Sequence, residues 1–177
     1  MTLSRTQVQD LDTMRALAHP LRMRLLGLLR ADGPATASDL GRRVGESSGS
    51  TSYHLRQLER FGFVEDAPDQ PSRRSRVWRA AADVTSWSEE LFEGAGGDEV
   101  FAAVRAGQLE HLRRSLAAWT RPERGIGASD YLLRLDPDDL DALTAELHDV
   151  VARYVGRDGA REVALHVLAL PYPREDA

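Results

Sequence analysis

The chain has 177 residues, 42% apolar and 29% charged, a globular balance that fits one ordinary domain or two small ones and excludes a large multidomain enzyme. No apolar run approaches the ~20 residues of a membrane span, and the absence of cysteine removes disulfides, thiolate nucleophiles, Cys-ligated zinc and thiol redox sensing together. The net charge of −5 conceals an asymmetry: residues 1–82 hold 13 Arg and 9 acids, whereas residues 83–177 hold 10 Arg and 19 acids, so the ends carry +4 and −9.

A polyanion is attracted to the first end and repelled by the second. All 23 basic residues are Arg, as codon bias in a GC-rich genome would give. The opening stretch MTLSRTQVQDLDTMRAL mixes acids among its apolar positions and has neither the continuous apolar core nor the cleavage site of a signal peptide, so the expected location is cytoplasmic.

Val8, Leu11, Met14 and Ala18 recur at spacings of three and four, with Leu17 beside them, which predicts an amphipathic helix. His19-Pro20 interrupts it, and Leu21, Leu25, Leu28 and Leu29 form a second stripe that Gly33-Pro34 closes. Thr36 stands three residues before Asp39, a variant capping box that opens a brief third helix ending at Gly45. The cap-rich segment Glu46-Ser47-Ser48-Gly49-Ser50 starts a fourth helix, with Thr51, Leu55 and Leu58 on one face and Gly62 as its stop. Phe63 to Asp66 reads as a strand, Pro68 to Ser72 as a loop, and Ser75 to Arg79 as a returning strand, making a hairpin with arginines at its tip.

Helix, helix, short helix, turn, helix and hairpin is the order of a winged helix-turn-helix. The stretches ALAHPLRMRLLGLL and STSYHLRQLERFGFVE resemble the ArsR-type bacterial transcriptional regulators, in which an Ala-His-Pro step leads into a Leu-rich helix and a Ser-x-His-Leu-x-x-Leu recognition helix precedes Gly-(Leu/Phe)-Val. The resemblance covers residues 10–82 and is silent about the rest. It implies repression by blocking transcription, pairing through helices that flank the winged domain, and a role for His54 in seating the recognition helix.

Beyond it, Asp83 to Trp87 reads as a capped helical turn and Gly94-Ala95-Gly96-Gly97 as a linker, which divides the chain into a DNA-binding domain over residues 1–93 and an α/β unit over residues 98–177 for dimerisation, effector binding or both. A long helix is expected from Asp98 to Trp119. Its Leu109, Leu112, Leu116 and Trp119 repeat at three, four and three, either as buried core or as a dimer seam. Tyr131, Leu133 and Leu135 alternate as a strand, Asp136-Pro137 starts a helix with Leu140, Leu143, Leu147, Val151 and Tyr154 on its apolar face, and Glu162 to Leu170 reads as a second strand. The expected fold is therefore α+β: an N-terminal winged helix-turn-helix followed by a long helix and a small strand-helix-strand unit.

The polar face of the fourth helix is the strongest functional signal, because base edges in a major groove are read by hydroxyl, guanidinium and amide groups. Ser48, Ser50, Ser52, Tyr53, Arg56 and Gln57 supply them without an acid among them, the alternative being a merely solvated face. Arg73, Arg74 and Arg76, at the tip of a wing, suit minor-groove or phosphate contact. Of the five histidines, His19, His54, His111, His148 and His166, none has a second His three or four residues away, and the Cys and Asp/His patterns of the family's metal sensors are missing, so no metal site is expected.

No phosphate loop, nucleophile elbow or zinc-protease motif occurs, so no enzyme, catalytic residue or cofactor is expected. The reading is a dimeric repressor that binds double-stranded DNA and is released by a non-metal signal, either a small organic molecule or a partner protein. Trp87, Phe92, Phe101, Trp119, Tyr131 and Tyr154 are either pocket walls for such a molecule or plain core. The alternative is a protein-interaction scaffold, or an antagonist of another regulator, with no operator of its own. Binding that is lost in added salt favours DNA.

Overall fold

The computed structural model describes residues 4–68, 76–157, 159 and 163–173. Local capping chemistry sets the helix starts. The Asp10 carboxylate accepts the Thr13 amide at 2.8 Å and opens α1, Leu11–Leu17. His19 Nδ1 accepts the Leu21 amide at 3.2 Å, and Pro20 occupies the first turn of α2, Pro20–Asp32. Thr36 accepts the Asp39 amide at 3.1 Å and donates its hydroxyl to the Asp39 carboxylate at 2.6 Å, starting α3, Ala37–Val44. Gly45 ends α3 in the left-handed region, at φ 77°, where a side chain is strained. Arg24 of α2 reaches that end and donates to the Arg43 and Val44 carbonyls, satisfying acceptors the helix leaves over. Ser47 then caps α4, Ser48–Arg60.

A three-stranded antiparallel sheet covers one side of these helices, in the order β2, β4, β3, with β2 at Ala35–Thr36, β3 at Val64–Asp66 and β4 at Val77–Ala80. The β3/β4 pair is the expected hairpin; its register sets Val64 opposite Ala80 and Asp66 opposite Trp78. Trp78 points inward and joins Met14, Leu25, Leu40, Leu55, Leu58 and Phe63 in one core. Burying each such side chain contributes about 1.5–3 kcal/mol.

The stretch expected as a capped turn is corrected: Val84–Ser86 is a strand, β5, paired in parallel with β1, Arg5–Gln7. Asp83, the presumed cap, instead accepts the Ser4 amide at 2.9 Å and hydroxyl at 2.7 Å, and α2 reaches over through Arg30, which donates to the Ala82 carbonyl and the Thr85 hydroxyl. A short 3-10 turn, Glu89–Phe92, leads into α5, Gly97–Ala118.

The chain forms two compact units, one ending at Glu110 and one holding the described residues from His111 onward. The glycine cluster at 94–97 therefore lies inside the first unit. Its function there is close approach, since a Cβ on Gly97 would stand 1.7 Å from the Phe92 carbonyl oxygen. Val100 and Val104, one and two turns into α5, are buried in the first unit's core.

In the second unit α6, Pro137–Ala152, starts at Asp136-Pro137 as expected. The flanking strands are corrected: among the described residues from His111 onward no strand forms, and Tyr131, Leu133, Leu135, Val163, Leu165 and Val167 are exposed. Alternation satisfies only one requirement of a strand. The other is a hydrogen-bonded neighbour, and two isolated segments make at best a marginal ribbon. Among the described residues no helix is long and apolar enough to cross a membrane.

Candidate nucleic-acid interface

Helix α4 presents two unlike faces. Thr51, Leu55 and Leu58 are wholly buried, and the Thr51 hydroxyl donates back to the Ser47 carbonyl at 2.9 Å, so the inner face carries no unsatisfied polar group from that side chain. Helix α3 crosses close by because Gly41 has no side chain: a Cβ there would meet the Glu46 carbonyl oxygen at 2.8 Å. This tight helix-turn-helix seam fixes what the other face of α4 presents.

At 3.6 residues per turn the outer face centres on Tyr53, Arg56 and Arg60. Tyr53 is 58% exposed, and Arg56 is exposed with no ion pair or hydrogen bond among the described residues. Ser52 and Gln57 flank this line half-buried, Ser48 stands exposed at the helix start, and Ser50 is half-buried on the far flank with its amide given to the cap. Arg60, not anticipated as a site residue, is exposed one turn beyond Arg56; the i, i+4 spacing was the available signal.

Most arginines of this unit are occupied elsewhere. Arg15 pairs with Asp12, Arg42 with Asp39, Arg43 with Asp32 and Arg79 with Glu65. Arg76, expected among the wing contacts, differs most from that role: its guanidinium donates to both Asp66 and Glu59 and lies 3.8 Å over the Trp78 ring. The hydrogen bonds to Asp66, then those to Glu59, hold its pKa above the usual Arg value, and the same pair lowers that of Asp66. The consequence reaches α4, since Glu59 has its charge neutralised where the wing meets the helix. Arg73 and Arg74 lie outside the described residues.

His54 packs on His19, with ring centroids 4.6 Å apart, linking α4 to the start of α2, and Tyr53 meets the His54 ring edge-on. Burial lowers the pKa of both imidazoles, and the Arg22 charge lowers them further; Glu46 pulls His54 the other way. An unfolded chain takes up these protons near pH 6.5 while the fold resists them, so stability is full above that value and falls as pH drops through it. The urea midpoint is accordingly expected to fall between about pH 7.5 and 5.5, and to fall less in the His19→Gln, His54→Gln double variant. His111, also lowered by burial, stays in both proteins and cancels. Equal drops would place the effect elsewhere.

In the second unit His111 and His166 lie 4.9 Å apart, with His166 Nε2 2.9 Å from the Ser115 hydroxyl. Among the described residues no group of three or more His, Asp or Glu is set to hold a metal. Within the first unit Trp87 and Phe92 pack on the core and Phe92 meets Phe101 edge-on at 5.2 Å, and in the second unit Trp119, Tyr131 and Tyr154 are exposed.

Residues 17–67 match the family described as "Helix-turn-helix domain". The match runs from the end of α1 through α4 and β3, the elements just described. Over 88 residues the chain is 35% identical to the "Uncharacterized HTH-type transcriptional regulator YcgE" of Bacillus subtilis (strain 168), covering 42% of this chain and 56% of that protein. The chain thus spans little more than half the length of this relative. Among solved structures, an ArsR family transcriptional regulator is 27% identical over 63% of this chain and 93% of its own, with a TM-score of 0.34. The YusO protein of Bacillus subtilis is 17% identical over 81% of each chain, with a TM-score of 0.37.

Proposed function

We propose that the protein is a sequence-specific DNA-binding transcriptional regulator that places α4 in a major groove. The observation that carries this is the donor-rich face of α4, with Tyr53, Arg56 and Arg60 exposed and unopposed by a free carboxylate, on a helix whose other face is locked into the core. The helix-turn-helix match over residues 17–67 and the relative described as a transcriptional regulator support the same reading.

The finer reading is a dimeric repressor that meets a near-palindrome with half-sites about 10 base pairs apart. Leu109 and Leu116 of α5 and Trp119 just beyond it are exposed on the single chain and supply an apolar seam for pairing. The release signal is read as a small organic molecule or a partner protein rather than a metal.

The deciding experiment is selection from a random duplex library. Recovery of one motif with two-fold symmetry supports the reading; binding that tolerates high salt and enriches no sequence sinks it and favours the protein scaffold. Removing Arg73 and Arg74 together is expected to weaken cognate and random duplexes alike and to flatten the salt dependence by about two phosphate contacts. Titration at several salt concentrations measures this.

A further inference from the structure

Among the described residues of the first unit, Arg22 carries a buried guanidinium nitrogen, Nε, without a partner. A terminal nitrogen donates to the Arg15 carbonyl at 3.2 Å. Burial pulls its pKa down, and Tyr53 on α4 acts in the other direction. A guanidinium presents a planar fork that matches a carboxylate, and with Nε buried it is the terminal nitrogens that a ligand in the adjoining cleft can reach.

Arg22 also lines an open cleft of about 260 Å³ at the meeting of α1, α2 and α5. Arg15 and His19 share its nitrogen-bearing wall, and Ala18, Val100 and Ala103 supply an apolar one. Glu99 is the single carboxylate in the lining. We propose that this cleft binds a small organic monocarboxylate, whose oxygens accept from Arg22 and whose hydrocarbon part lies against Val100 and Ala103.

The size suits a molecule of about ten non-hydrogen atoms, below a drug-sized pocket. Inorganic phosphate gains nothing from the apolar wall and, as a dianion, is repelled more strongly by Glu99. His19, in the same wall, stacks on His54 of α4, so an occupant sits one residue away from the groove-reading helix. That consequence rests on the DNA reading above; the binding itself does not.

The test titrates the full chain with sodium phenylacetate and, in parallel, with neutral phenylacetamide at fixed ionic strength. Phenylacetate is expected to saturate with a Kd below about 1 mM, and the amide to bind at least about tenfold more weakly. Arg22→Gln is expected to lose about tenfold. Ala103→Glu, at an exposed helical position where both residues favour helix, is expected to lose as much by repulsion, and Glu99→Gln to gain about threefold. Absence of saturation up to about 10 mM, equal binding of the amide, or wild-type binding by both weakened variants overturns the proposal. Because no DNA is present, failure of the operator selection leaves this titration intact, and the two readings fall separately.

Discussion

Arg56→Ala is expected to weaken binding to the selected duplex by about 1–3 kcal/mol, roughly 5- to 150-fold, while random duplex loses far less. The side chain is exposed and has no partner among the described residues, so its removal strands no buried group and breaks no fold contact. The urea midpoint should therefore stay put. Leu55, one residue earlier, provides the contrast: it is wholly buried, and Leu55→Ala is expected to cost about 2–5 kcal/mol of stability before binding is considered. Tyr53→Ala belongs with Arg56, since its ring is 58% exposed on the same face and meets the His54 ring edge-on. Fluorescence anisotropy on cognate and random duplexes at one salt concentration separates these effects. Equal losses on both duplexes would make Arg56 a phosphate grip and move base reading elsewhere on α4.

The helices of the first unit were legible because their ends are written in neighbouring residues. Asp10 with Thr13, His19 with Leu21, Thr36 with Asp39 and Ser47 with Ser50 each close a cap within three positions. The β1/β5 pair was not legible, since Ser4 and Asp83 are 79 positions apart and nothing local marks their meeting. Asp, Thr and Ser at 83–86 are cap residues by composition, and here they serve a parallel ladder instead. The glycines at 94–97 suit a linker and a close approach alike, since both select the same residue, and the Phe92 carbonyl beside Gly97 shows the second.

The candidate site shows the same division. The outer face of α4 follows from helical period, which names Tyr53 and Arg56 from the sequence, although Arg60, one turn further on, obeys the same period and was not anticipated. Arg76 could not be read this way, because its two carboxylates come from α4 and β3, 17 and 10 positions away. In the fold its guanidinium joins the β3/β4 hairpin to α4.

The second large effect pits two consequences of one substitution against each other. Gly27→Ala and Gly41→Ala each place a methyl inside a helix, where Ala is favoured over Gly by about 1 kcal/mol. Gly27 is exposed in α2 and a Cβ there would meet nothing within 4 Å, so the helix term stands alone and a gain of about 1 kcal/mol is expected. Gly41 is buried in α3, and its new methyl would press on the Glu46 carbonyl oxygen at 2.8 Å and the Thr51 hydroxyl at 3.0 Å. Neither neighbour retreats cheaply: the Glu46 amide is bonded to the Gly41 carbonyl at 2.9 Å, and Thr51 is held by Ser47. Overpacking of this kind costs about 1–3 kcal/mol, which exceeds the helix gain, so a net loss of about 1 kcal/mol is expected, rising with Gly41→Val. The displaced partner is the start of α4, so DNA affinity should fall as well, whereas Gly27→Ala leaves it unchanged. Urea denaturation and duplex titration of the two variants side by side decide the matter. A Gly41→Ala protein as stable as Gly27→Ala would mean that the α3/α4 seam yields without cost and does not set the attitude of α4.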